Sequence, residues 1–216
     1  MFKEYDTVME YMTMSDTIVF NTEDTLKGKD YVKSHSVPLF ELVGEDNPIL
    51  KEVMPEFDFN NPPVNPMEFA SSLVETCKLH KGIGLAANQC GFKHRVFVMG
   101  AEDNYVAFFN PKIIASYDES HIVEGCLSFP LLGLRITRPA SIDVEYHDYR
   151  GQKQTAHYTG ISARCFQHEL DHMNGIVYTS RAKPMALQSG MKKRGKYNKL
   201  IAKSEKQVKK IEALVK

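Results

Sequence analysis

The chain of 216 residues contains no tryptophan, only four cysteines and no excess of either charge, with 27 basic side chains against 27 acidic. No apolar run approaches the ~20 residues needed to cross a bilayer, so no membrane anchor is expected. The first 16 residues mix Lys3, Glu4, Asp6 and Glu10 with apolar positions. They lack the cationic start and apolar stretch of a secretory signal, and they are too acidic for a mitochondrial presequence. A cytoplasmic protein is the expectation. Without an export signal, Cys77, Cys90, Cys126 and Cys165 do not suggest a disulfide framework, and thiol or metal chemistry suits them better. Repeats and low-complexity tracts are absent. An apolar content of 43% and a charged content of 25% are ordinary for a globular chain and exclude wholesale disorder.

The balanced charge is unevenly distributed. Residues 1–37 carry 4 positive and 7 negative side chains, residues 38–180 carry 11 and 18, and residues 181–216 carry 12 and 2. An acidic body thus precedes a tail of net +10, which points to a polyanionic partner for the tail and says nothing of the fold.

Three regions are expected: an appendage over 1–36, a catalytic domain over 37–180 and a basic helical tail over 181–216. Pro38 biases Val37 toward extended backbone. The prolines and asparagines of 55–66 mark a loop. Phe69, Leu73, Val74 and Cys77 then recur at helical spacing, which predicts a helix over 66–80. Short strands are expected at 96–99, 105–109, 113–117 and 141–147, antiparallel in character, with Asn110 and Pro111 as a break. Residues 162–174 turn helical, with Ser162 as a cap and Gly175 as a stop. The predicted fold is α+β: antiparallel sheets around a central helix, with a basic C-terminal helix after it.

The central helix carries the strongest chemical signal, His168-Glu169-Leu170-Asp171-His172. Two histidines one turn apart can reach a single divalent cation, with Glu169 beside them to handle a proton. A hydrolytic metal centre takes three protein ligands and keeps one position for water. No histidine follows His172, and downstream only Glu205 and Glu212 of the Lys-rich tail could contribute. Upstream, Cys126 in Glu124-Gly125-Cys126-Leu127-Ser128 is a candidate thiolate. Read alone it is an inert buried thiol more readily than a ligand, because free cysteine is among the most buried residue types. Gly82-Ile83-Gly84-Leu85-Ala86-Ala87-Asn88-Gln89 formally fits the dinucleotide fingerprint, but that motif needs a strand before it and a helix after it, whereas here a helix precedes it and Cys90-Gly91-Phe92 breaks any helix soon after. A glycine turn, or backbone laid against an extended ligand with Gln89 offering an amide, are the alternatives.

Together, GIGLAANQ at 82–89, EGCLS at 124–128 and QHELDH at 167–172 resemble the three motifs of the peptide deformylases, in that family's order and spacing. The resemblance covers about 37–180. It implies hydrolysis of the N-formyl group from the formyl-methionine of new polypeptides. It also implies metal ligands Cys126, His168 and His172, a catalytic carboxylate Glu169, and oxyanion donors in Gln89 and the Leu127 N–H. The implied metal is ferrous iron, while a Cys/His/His set also suits Zn2+, Ni2+ or Co2+. By position relative to the motifs, Ile83, Gly84, Ile122, Gly125, Ile161 and Cys165 are expected to bind substrate. Arg164 is expected at the rim of that pocket, and Asp171 is a candidate to orient a ligand. The tail is read in two ways: its apolar stripe packs on the body, or its lysines meet ribosomal RNA near emerging formyl-Met chains. A monomer is expected. Two rivals stand beside this reading: a metalloprotease whose third ligand is not Cys126, and an RNA-binding protein whose metal site is closed by a fourth ligand such as Cys90 or Cys165.

Overall fold

A computed structural model describes residues 37–215, so expectations for 1–36 lie outside the described residues. Helix α1 (Pro66–Leu79) begins where expected: Asn65 caps it, its side chain accepting from the Met67 and Glu68 N–H groups, with proline in the first turn. Strand β1 (Gly84–Ala86) follows, then a 3-10 turn (Ala87–Cys90). Strands β2 (Val96–Ala101), β3 (Asn104–Tyr117), β6 (Ser141–His147) and β7 (Lys153–Thr159) join β1 in one antiparallel sheet of order β1-β2-β3-β6-β7. Strands β4 (Ser120–Cys126) and β5 (Phe129–Arg138) form a separate hairpin. Helix α2 (Gly160–Met173) carries the histidine motif, and α3 (Pro184–Val215) ends the described chain.

The short apolar run at 96–99 has no alternation because β2 is buried on both faces. Phe97 and Met99 enter a core shared with α2, where Phe166 of α2 meets Phe97 and Phe108 edge-on at ring separations of 5.1 and 5.3 Å. Val96 and Val98 enter the other core, with Leu73 and Val74 of α1. The sheet is therefore clamped between α1 and α2, and this holds β1 and the following turn beside α2.

Several boundaries differ from the sequence reading. β3 runs unbroken through Asn110 and Pro111, because the expected break is absorbed as a bulge between Phe109 and Lys112. Asn110 takes a left-handed φ of 50° there, and its amide exchanges two hydrogen bonds with the Phe57 backbone. α2 starts at Gly160, two residues before Ser162, which is buried inside it. Gly175 stops that helix as expected, at a φ of +68°. Strands β1, β4, β5 and β7 were not foreseen.

The tail packs on the body over its early turns only. The early turns of α3 lie on β5: Leu187 joins the core, and a Cβ on Gly190 would come within 2.5 Å of Leu134. Arg194 pairs with Glu45 at 2.6 Å. Further on the stripe is bare, with Leu200, Val208 and Ile211 each more than half exposed.

Candidate metal centre

Three elements converge beside α2. His168 and His172 project from one face of the helix, and Cys126 comes from the end of β4. One ligand atom from each lies within 4.8 Å of the other two, and all three residues are buried. His172 Nε2 stands 3.4 Å from Cys126 Sγ. One thiolate and two imidazoles form a donor set suited to a borderline-soft divalent cation. Among the described residues this is the only such cluster.

His168 is held from behind. Its Nδ1 meets the Glu124 carboxylate at 3.1 Å, which leaves Nε2 as the ring nitrogen for a metal. Glu124 is clamped in turn. Arg138 donates Nε to Oε1 at 2.7 Å and Nη2 to Oε2 at 3.0 Å, and Arg164 donates to Oε1 at 2.8 Å. Burial alone would raise the Glu124 carboxyl, but the hydrogen bonds from His168 and Arg138, with their charges, hold it well below the usual carboxylate range. Removing such a buried partner typically costs ~3–5 kcal/mol, because the remaining charges lose their compensation.

Glu169 sits differently. Its Oε2 has no hydrogen-bond partner among the described residues. Burial pushes the carboxyl up to about 7, against the pull of His168 and Arg138. Gly84 of β1 backs directly onto it: a Cβ there would fall 2.4 Å from Glu169 Oε1 and 2.7 Å from Cys165 Sγ. Any side chain at 84 would have to displace the carboxylate or the thiol. Gln89 is oriented by its own turn, its Oε1 accepting from the Ala86 N–H at 2.9 Å. Its Nε2 then reaches Ser128 Oγ at 3.1 Å and Cys126 Sγ at 3.4 Å.

The three motifs therefore meet in space. Ile83 and Gly84 adjoin Cys165, whose Sγ donates to the Ile83 carbonyl at 3.4 Å. Ile161 is half-buried in the first turn of α2, seven residues before His168 and so on its face. Ile122, half-buried, stands opposite Ile136 in the hairpin, and Gly125 lies in the register shift just before Cys126. Leu127 and Ser128 make the tight hairpin loop. Burial raises the Cys77 and Cys165 thiols, and Cys90 to about 12, so each stays protonated.

Two expectations need correction. Arg164 is not at a pocket rim: it is buried, and besides Glu124 it bonds the Ile136 carbonyl and Ser120. Asp171 accepts from Arg138 and Arg181 rather than from an imidazole, so any hold it has on a ligand is indirect. The sequence reading missed Glu124, Arg138 and Ser128 as partners of the site. Glu124 and Ser128 stand inside the EGCLS segment, and Glu124 shares a strand face with Cys126; Arg138 left no local signal.

An antiparallel sheet beside a buried helix with paired histidines and an upstream thiol defines a metal-dependent hydrolase. The polypeptide deformylase family profile matches residues 40–188. Curated peptide deformylases are similar to this chain: that of Thermotoga neapolitana is 42% identical over 113 residues, covering 52% of this chain and 69% of the relative. That of Rhizobium meliloti is 36% identical over 138 residues, covering 61% and 78%. The crystal structure of a Synechococcus elongatus peptide deformylase in complex with actinonin superposes with a TM-score of 0.68 at 28% identity, covering 74% of this chain and 90% of the other. The chain belongs to the polypeptide deformylase family. It is a hydrolase that removes the N-formyl group from newly made polypeptides. No described helix is long and apolar enough to cross a membrane.

Proposed function

We propose that Cys126, His168 and His172 hold one divalent metal ion, ferrous in the native protein, and that Glu169 moves the proton in deformylation. The observation that carries this is the close grouping of the three buried ligand atoms, with a buried carboxylate on the same helix whose Oε2 has no hydrogen-bond partner among the described residues. When bound, the metal supplies the Lewis acidity that brings a water's pKa toward neutrality. Glu169 takes a proton from the attacking water and returns it to the departing amine, a role served by a carboxyl raised to about 7. Gln89 Nε2, held beside Cys126, and the Leu127 N–H stabilise the oxyanion; one such donor is typically worth ~3–4 kcal/mol. Glu124 keeps His168 in the tautomer that offers Nε2.

Ile83, Ile122, Leu127, Ile161 and Cys165 line the methionine pocket, and the chain beyond pairs as an added strand with the Ile83 and Gly84 backbone and with Gly125. That mode reads backbone and accepts many sequences. A formyl-Met peptide should be deformylated, while an acetyl-Met peptide and internal peptide bonds stay intact; mass spectrometry of the products tests this. Cleavage of internal bonds by the homogeneous wild-type protein, lost in Glu169→Gln, would favour a protease instead. The protein works as a monomer in the cytoplasm.

The distal part of α3 is the part proposed to meet ribosomal RNA. Beyond Gly195 the chain carries seven lysines and two glutamates, and Leu200, Val208 and Ile211 there are each more than half exposed. A cut after Gly195 should weaken co-sedimentation with ribosomes at low salt, since phosphate contacts release counterions. Turnover of a short formyl peptide should stay nearly unchanged, because none of the proposed site residues lies beyond Gly195. Ribosome binding that is absent in the full chain, or indifferent to salt, would refute the RNA contact.

A further inference from the structure

A line of charged side chains leads from the metal ligand His168 to the surface, and it ends on a residue outside all three motifs. Glu124 holds His168 Nδ1, Arg138 holds Glu124, and Arg138 Nη1 also reaches Asp171 Oδ2 at 2.7 Å. Asp171 is then gripped from the far side by Arg181, whose Nε meets Oδ2 and whose Nη2 meets Oδ1, both at 2.5 Å. Arg138, Glu124 and Asp171 have side chains 3%, 4% and 6% exposed, whereas Arg181 is 39% exposed. Arg181 closes the 3-10 turn Tyr178–Arg181, just ahead of α3. The same turn presents Tyr178, whose ring packs 5.5 Å from that of His168.

Oxygen counting gives the residue its task. Asp171 Oδ2 accepts from both arginines, and Oδ1 accepts from Arg181 alone among the described residues. Arg138 is the one side chain that donates to both Glu124 oxygens, with Arg164 joining it on Oε1 and His168 on Oε2. Without Arg181, the buried Asp171 carboxylate has one remaining cation, Arg138, and must draw on it more strongly. A guanidinium pulled toward Asp171 loosens its fork on Glu124, and Glu124 is what orients His168. A bidentate Arg–carboxylate pair has the geometric rigidity to prevent this, which a single ammonium lacks.

We propose that Arg181 is a positioning residue for the metal centre, acting through Asp171, Arg138 and Glu124 to fix His168 and so to retain the metal. The proposal rests on the assignment of His168 as a ligand. Asp171 keeps Arg138 when Arg181 is lost, so cobalt release and the cobalt spectrum, rather than the thermal midpoint, separate this role from a merely structural one.

The test loads the full chain with Co2+ and follows transfer of the ion to a chromogenic chelator, beside the visible spectrum of the cobalt protein and its thermal midpoint. Arg181→Gln should release cobalt about tenfold faster, the low side of the 10–100-fold typical of partners that orient a ligand. The cobalt bands should shift and the midpoint should move only by a few degrees. Arg181→Lys should fall between, keeping charge without the fork. In an Asp171→Asn background, Arg181→Gln should add nothing. Wild-type release from Arg181→Gln, or effects that multiply with Asp171→Asn, would overturn the proposal. The His168→Ala control separates it from the ligand assignment: if that variant also kept wild-type release, the assignment itself would fail.

Discussion

Glu169→Gln is expected to keep its metal and lose activity by about 10²–10⁴-fold in kcat, the usual span of general acid–base catalysis. Glutamine is nearly isosteric, so contact with Gly84 should survive, and the variant should fold normally. It cannot accept and return a proton. The residue is buried, and the ordinary reason to bury a carboxylate, a cationic partner in direct contact, is missing: Oε2 is unpaired among the described residues while Glu124 and Asp171 nearby are saturated by arginines. Steady-state kinetics on a formyl-Met peptide, with metal content measured on the same sample, checks this. A loss below about tenfold would mean that another group moves the proton.

Cys126→Ala, His168→Ala and His172→Ala should each cost more metal affinity than the ~10–100-fold associated with outer partners, and nearly all activity with it. The cysteine makes the sharpest contrast. Cys77 is as fully buried, but its Sγ donates to the Gly82 carbonyl at 3.2 Å and burial raises its pKa, as befits a core thiol. Cys77→Ala should therefore retain stoichiometric metal where Cys126→Ala does not, as read by elemental analysis after dialysis. If Cys126→Ala bound metal with wild-type affinity, the third ligand would lie elsewhere.

How much of this was legible beforehand depended on whether the signal was local. The histidine pair and Glu169 follow from helical spacing within five residues. Helix α1 followed from the spacing of Phe69, Leu73, Val74 and Cys77, and the end of α2 from Gly175. Cys126 could not be distinguished from an inert thiol by its surroundings; only its occurrence with the other two motifs, in order, singled it out. Strands β4 and β5 alternate in burial, but their hairpin stands apart from the main sheet, and apolar Val123 on the exposed face beside charged Glu124 on the buried one inverts the pattern where it matters. Asn110-Pro111 misled because a bulge can carry a strand through a residue without an N–H. Arg138 was invisible because its task arises from contacts 14 and 33 residues away. The two-part character of α3 could not be read either: Leu187, Gly190 and Arg194 are unremarkable until β5 and Glu45 are brought against them.

The most direct test of the metal centre is anomalous diffraction from crystals of the protein purified without oxygen, with data collected on both sides of the iron absorption edge. The expected result is one strong peak about 2.3 Å from Cys126 Sγ and about 2.0–2.1 Å from one nitrogen each of His168 and His172, on the scale of metal–thiolate and metal–imidazole bonds, with no fourth protein ligand. A peak elsewhere, or a site closed by a fourth side chain such as Cys90 or Cys165, would contradict it.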